Sequence, residues 1–200
     1  MPHDFDHSPF RHGSDSLKWQ RYGSALPLWV ADMDFAAPEP VLAALRERVA
    51  HGIFGYGAPP EELTETICAR MADLYRWTVT PEQIVYLPGL VCGLNVVCRA
   101  IGEPGDGVLV QTPVYPPFLA APGHQERRLI TAELTAELRD GRLYYRFDAT
   151  AFEAAIDSRT RLFILCHPHN PVGRAFEVEE LTQLATICER RDLVVCSDEI

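Results

Sequence analysis

Four short segments of this chain carry residue types that could do chemistry, and each follows an apolar run. Tyr86-Leu87-Pro88-Gly89-Leu90-Val91-Cys92-Gly93 leads through a Pro-Gly turn into a helical pattern. The first backbone N–H groups of such a helix have no partner within it, and its dipole favours an anion, so a phosphate would suit Leu90 and Val91. The segment is neither a GxGxxG nor a P-loop, and a plain strand–helix turn explains it as well. Thr112-Pro113-Val114-Tyr115-Pro116-Pro117-Phe118 holds an aromatic stiffly between prolines, a platform for stacking on a flat ring or a plug beneath a loop. His169-Asn170-Pro171-Val172-Gly173 offers an amide that both donates and accepts, within what could equally be an Asn-Pro turn. Ser197-Asp198-Glu199-Ile200 sets two carboxylates after the apolar Leu193-Val194-Val195-Cys196. Burying such a charge is costly unless a cation, for instance a protonated ring nitrogen, meets it; a solvated turn is the alternative.

The elements that must position these segments form an alternating series. Helical periodicity follows Pro38, with Val41, Leu42, Leu45 and Val49 on one face, and returns from Glu61 to Trp77. Strands are predicted at 84–87, 107–111, 127–131, 143–145, 161–166 and 193–197, and helices at 89–100, 149–156 and 178–190. TPVYPPF reads as a turn. Strands as continuously apolar as Leu162-Phe163-Ile164-Leu165, separated by helices, predict an α/β fold: a mostly parallel sheet with helices on both faces. The chain stops directly after a strand of buried type, so the domain reads as incomplete at its C-terminus.

A net charge of −10 argues against nucleic acid or an anionic membrane as partner. The polar start MPHDFDHSPFRHGSDS lacks the apolar region of a secretory signal. The cysteines at 68, 92, 98, 166, 188 and 196 form no CxxC pair and sit in apolar stretches. They read as reduced, buried thiols of a cytoplasmic protein, and Cys166-His167-Pro168-His169 lacks the second ligand pair of a zinc site.

Taken in order and spacing, the four segments resemble the fold-type I pyridoxal-phosphate enzymes of the aminotransferase class I/II family. Leu28-Trp29-Val30-Ala31-Asp32-Met33-Asp34-Phe35 and Gly52-Ile53-Phe54-Gly55-Tyr56 are similar to its cystathionine β-lyase branch, as are Arg11-His12-Gly13-Ser14 and Lys18-Trp19. The resemblance covers essentially the whole chain and corresponds to the first half of such an enzyme. It implies an arm and first helix over 1–50 and a partial cofactor-binding large domain over 51–200. It further implies that the amides of Leu90 and Val91 hold the cofactor phosphate and that Tyr115 stacks on the pyridine ring. Asn170 would bond the phenolic oxygen and Asp198 the ring nitrogen. Tyr56 would reach the cofactor of a second subunit in a homodimer, and Ala31 would lie near the substrate carboxylate. Glu199 is expected to be structural.

By the same resemblance the reaction is α,β-elimination of cystathionine or a cysteine S-conjugate to thiol, pyruvate and ammonia, with an aminotransferase as the rival. The family's cofactor-binding lysine falls beyond Ile200, as does the arginine that grips the substrate carboxylate. Lys18 is the one lysine here, and neither Arg161 nor Arg174 suits the second role. The 200 residues alone are therefore expected to be inactive, which leaves a non-catalytic binding module as a third reading.

Overall fold

The computed structural model describes residues 4–200. The chain divides into two compact units, one ending at Ile67 and one spanning Cys68–Ile200.

The first unit holds α1 (Leu17–Gln20), α2 (Glu39–His51) and the start of α3 (Glu61–Tyr75). Pro38 and Pro40 fall where a helix has no N–H to lose, so α2 begins there, and Gly52 ends it in the left-handed region at φ 76°. The apolar stripe anticipated on α2 exists, but no α2 residue is buried: Val41, Leu45 and Val49 are all exposed.

The second unit is built on a four-stranded parallel sheet of β1 (Gly107–Thr112), β2 (Arg128–Glu133), β5 (Thr160–Cys166) and β6 (Val194–Asp198), in the order β2-β1-β5-β6. Val108, Val110, Leu162, Ile164 and Cys166 point to one face, where they pack with Leu94 and Cys98 of α4 (Leu90–Ala100) and Phe118 of α5 (Pro116–His124). Leu109, Phe163 and Leu165 point to the other. There they meet Phe152 of α6 (Ala149–Ala154) and Leu184, Ile187 and Cys188 of α7 (Val178–Arg190). Both faces are thus covered, which is why β1 and β5 read as unbroken apolar runs. Gly107 is required where β1 passes its neighbours. A Cβ there would lie 2.4 Å from Ile130 Cδ1 and 3.2 Å from the Thr160 Cα.

Two expectations about elements are corrected. Residues 84–87 form no strand: Val85, Tyr86 and Leu87 are exposed and belong to neither of the described sheets. An apolar run becomes a strand only when a neighbour completes its ladder. The turn expected at TPVYPPF opens α5, because Pro116 and Pro117 occupy the first turn, where a missing N–H costs nothing. Pro122 follows only at its last turn. The strand expected at 143–145 is present as β4 (Arg142–Arg146), paired antiparallel in a hairpin with β3 (Thr135–Arg139), which was not expected. Asp140 and Gly141, both at positive φ, form its two-residue turn. The cysteines also differ from expectation. Cys98, Cys166 and Cys188 are buried, Cys68 and Cys196 half-buried, and Cys92 exposed on the first turn of α4; all six are free.

Phe163 is 1% exposed and meets Phe152 edge-on at 4.9 Å, in the centre of one core. Phe163→Ala is expected to destabilise the second unit by about 3–5 kcal/mol, read as a lowered midpoint in chemical denaturation.

Candidate functional site

The carboxyl ends of β1, β5 and β6 lie side by side, and backbone hydrogen bonds tie together the loops that leave them. The His167 amide donates to the Asp198 carbonyl at 2.9 Å, and the Tyr115 amide donates to the Asn170 carbonyl at 2.9 Å. Asp198 is also the register partner of Cys166. Tyr115, Asn170 and Asp198, chosen from three separate stretches of sequence, are therefore neighbours at one rim of the sheet. Tyr115 caps α5 and is 41% exposed, and Asn170 is exposed too, so both side chains are accessible to a ligand.

Asp198 differs from the other acids of the second unit. Its Oδ1 is buried and accepts no hydrogen bond. Burial, the largest cause, pushes its carboxyl above the usual range; the Glu199 charge adds to this and the Ile200 amide opposes it. At the opposite end of the sheet Asp106 receives the Glu103 amide and the Arg159 guanidinium, at 2.9 Å each. Those donors hold its carboxyl below the usual range. The Asp198 Oδ1 at the open rim has no such partner, and a cationic N–H donor would complete it. Glu199, beside it, accepts from the Ser197 hydroxyl at 2.7 Å.

Leu90 and Val91 are the first residues of α4, directly after Gly89, and both are exposed. Their N–H groups precede the first helical acceptor. Val91 and Pro116 line one apolar hollow, which brings the start of α4 beside the residue that follows Tyr115. Five of the seven expected site residues thus belong to one rim of the second unit.

The other two, Ala31 and Tyr56, belong to the first unit. Tyr56 is fully exposed in an irregular segment. Ala31 lies in a stretch held by a charge cluster that sequence reasoning missed. The Arg11 guanidinium grips Asp32 at 3.0 and 2.8 Å and reaches Asp34 at 2.7 Å. The Lys18 ammonium donates to Asp34 at 2.7 Å and to the Asp32 carbonyl at 2.5 Å, and the Trp19 indole donates to Asp34 at 2.8 Å. Lys18 is only 9% exposed. Its amine has a fixed structural partner in Asp34. The signal for this cluster was opposite charge in two segments already singled out, RHGSDSLKW and WVADMDF.

The described residues include no group of acids, histidines and cysteines able to hold a metal ion, and no helix long and apolar enough to cross a membrane.

The profile of the aminotransferase class I and II family matches residues 25–200. The chain belongs to that family. Within it, the chain is 41% identical over 204 residues to cystathionine β-lyase PatB of Bacillus subtilis, a match covering 98% of this chain and 52% of that protein. The crystal structure of cystalysin from Treponema denticola, which contains a pyridoxal 5′-phosphate cofactor, aligns with a TM-score of 0.88 at 34% identity. That alignment covers all of this chain and 52% of cystalysin. Arginine–pyruvate transaminase AruH of Pseudomonas aeruginosa is 32% identical over 177 residues, 88% of this chain and 44% of that protein. The chain therefore spans about half the length of its family relatives, and its fold is the aminotransferase fold that the sequence pattern led one to expect. The resemblance to the cystathionine β-lyase branch is likewise borne out.

The charge cluster has a pH signature. Hydrogen bonds from Lys18 first, then from Trp19, hold the Asp34 carboxyl down at about 2, against an ordinary 3.8. A depressed carboxyl contributes stability in full above its unfolded value and loses it as pH falls through the folded one. Trp19 fluorescence should therefore stay constant down to about pH 4 and change as the pH approaches 2. Asp34→Asn is expected to remove that transition.

Proposed function

We propose that this chain is the cofactor-binding front half of a pyridoxal 5′-phosphate-dependent C–S β-lyase. The carrying observation is the buried, unpartnered Oδ1 of Asp198, set at the same rim as an accessible aromatic and an accessible amide. A pyridinium N–H supplies the missing donor, so the residues present fit the cofactor. Asp198 would keep the ring nitrogen protonated, Tyr115 would cover one face of the ring, and Asn170 would bond its phenolic oxygen. The Leu90 and Val91 amides would take the phosphate. The cofactor, when bound, supplies an electron sink for the bonds at the substrate Cα.

The proposed reaction of the full-length protein is elimination from cystathionine or a cysteine S-conjugate, giving thiol, pyruvate and ammonia. The similarity to cystathionine β-lyase PatB supports the lyase over the aminotransferase, which AruH keeps as the second reading. Ala31 is proposed to lie near the substrate carboxylate. The amine that binds the cofactor covalently is proposed to come from outside these residues, since Lys18 is engaged with Asp34, and the chain alone is proposed to be inactive. A homodimer is proposed as the working state, with Tyr56 reaching the second subunit's site. The unburied apolar stripe of α2 supports a covering partner. The organisation into an arm with first helix over 1–50 and a cofactor-binding domain from 51 onward remains part of this reading. A cytoplasmic setting belongs to it too, supported by six free cysteines.

Incubating the full-length protein with cystathionine tests the reaction. Thiol and pyruvate released without any keto-acid acceptor are expected; activity that needs 2-oxoglutarate would replace the lyase with the aminotransferase. Asp198→Ala tests the site. Removing the charged partner is expected to weaken binding of pyridoxamine 5′-phosphate by roughly 10- to 100-fold in a fluorescence titration. Unchanged affinity would remove Asp198 from the site.

A further inference from the structure

His169 precedes Asn170, is 1% exposed, and plays no part in the function proposed above. Its ring leaves the β5 loop and reaches the β1 loop, where Nε2 lies 2.8 Å from the Pro113 carbonyl oxygen. A carbonyl can only accept, so the proton of this bond sits on Nε2. The other nitrogen, Nδ1, is buried and makes no hydrogen bond. Burial, the largest cause, lowers the pKa of the ring and outweighs the backbone groups of Pro113 and Cys166, which raise it. The side chain is accordingly a neutral imidazole of fixed tautomer. It has a single polar bond, directed from one loop to the other.

The seat of this ring is rigid. The His169 amide donates to the Arg174 carbonyl at 2.7 Å and its own carbonyl accepts from the Gly173 amide at 2.8 Å, closing the 169–174 turn on itself. Phe176 meets the imidazole edge-on at 5.6 Å, and the Arg174 guanidinium lies 4.9 Å over that same phenyl ring. Arg174 is in turn paired with Glu180 of α7 and donates to the Tyr145 carbonyl at 2.6 Å. The turn is thereby fixed to α7 and to the hairpin. Across the gap, the Tyr115 amide donates back to the Asn170 carbonyl at 2.9 Å. Two hydrogen bonds of opposite direction therefore join residues 113 and 115 to residues 169 and 170.

We propose that His169 is a positioning residue: its Nε2–H bond to the Pro113 carbonyl, with the return bond from Tyr115 to Asn170, latches the two loops and fixes the spacing between the Tyr115 ring and the Asn170 amide. A leucine would fill the same space without burying an unpaired nitrogen, so the imidazole is explained by the donor it carries rather than by packing. The inference rests on the reading of Tyr115 and Asn170 as contacts to a pyridoxal phosphate ring. The latch itself is a property of the ligand-free chain.

Two polar substitutions separate the latch from bulk and burial. The amide nitrogen of a glutamine can reach the place of Nε2, whereas that of an asparagine falls near Nδ1, short of Pro113. In the full chain, His169→Asn is expected to speed hydrogen exchange at the Tyr115 amide and to weaken pyridoxamine 5′-phosphate binding by about tenfold. His169→Gln is expected to keep both near wild type. Pyridoxamine 5′-phosphate has no aldehyde, so Lys18 cannot capture it covalently. Equal losses in the two variants, or unchanged Tyr115 exchange in His169→Asn, would overturn the latch. Exchange that follows the latch in a wild-type chain binding no pyridoxamine 5′-phosphate would sustain the latch and overturn the cofactor reading instead.

Discussion

A carboxylate oxygen withdrawn from water without a donor is costly, and the second unit keeps one at Asp198. The strand that carries it must end beside the loops of β5 and β1, because β6 pairs with β5 in parallel and β5 with β1. Parallel pairing brings equivalent ends together, so residues 115, 170 and 198 converge although they are far apart in sequence. The two buried layers, on opposite faces of the sheet, hold that arrangement in place. A cation-seeking carboxylate is thus a consequence of strand order, and the chemistry depends on the fold through this one placement.

The two ends of the sheet are finished differently. Where β1 and β5 begin, Asp106 and Arg159 neutralise one another, the Glu103 amide completes the carboxylate, and Gly107 allows the backbones to approach. Where the strands finish, hydrogen bonds between loop backbones and from the His169 ring tie the loops together, and the side chains of Tyr115 and Asn170 are left exposed. Membership of the aminotransferase class I and II family agrees with this asymmetry, since ligands of open α/β sheets gather beyond the carboxyl ends of the strands.

Much of this was legible in the sequence where the signal was continuous. β1 and β5 appear as apolar runs because both of their faces are covered, and β6, though half-exposed, keeps the same composition. Signals failed where structure depends on a partner distant in sequence. Residues 84–87 have strand composition but join neither of the described sheets. α5 was hidden by three prolines: Pro116 and Pro117 lie in the first turn, where no N–H is needed, and Pro122 interrupts the ladder only in the last turn. β3 is a polar, exposed strand, marked only by the Asp140-Gly141 turn that follows it. The Arg11–Asp32–Asp34–Lys18 cluster joins residues 14 to 23 positions apart, beyond any local periodicity. His169 was read as part of an Asn-Pro turn, because nothing in HNPVG indicates that its ring faces a carbonyl 56 residues earlier.

The contrast between the two rims bears on how such a protein can diversify. The Asp106–Arg159 pair and Gly107 secure the scaffold at the end where strands start, while Tyr115 and Asn170 are exposed at the end where strands stop and contribute little to the packed layers. Selection can therefore rework reactivity at one edge without reopening the problem of folding at the other. A single architecture can in this way serve both a lyase such as PatB and a transaminase such as AruH.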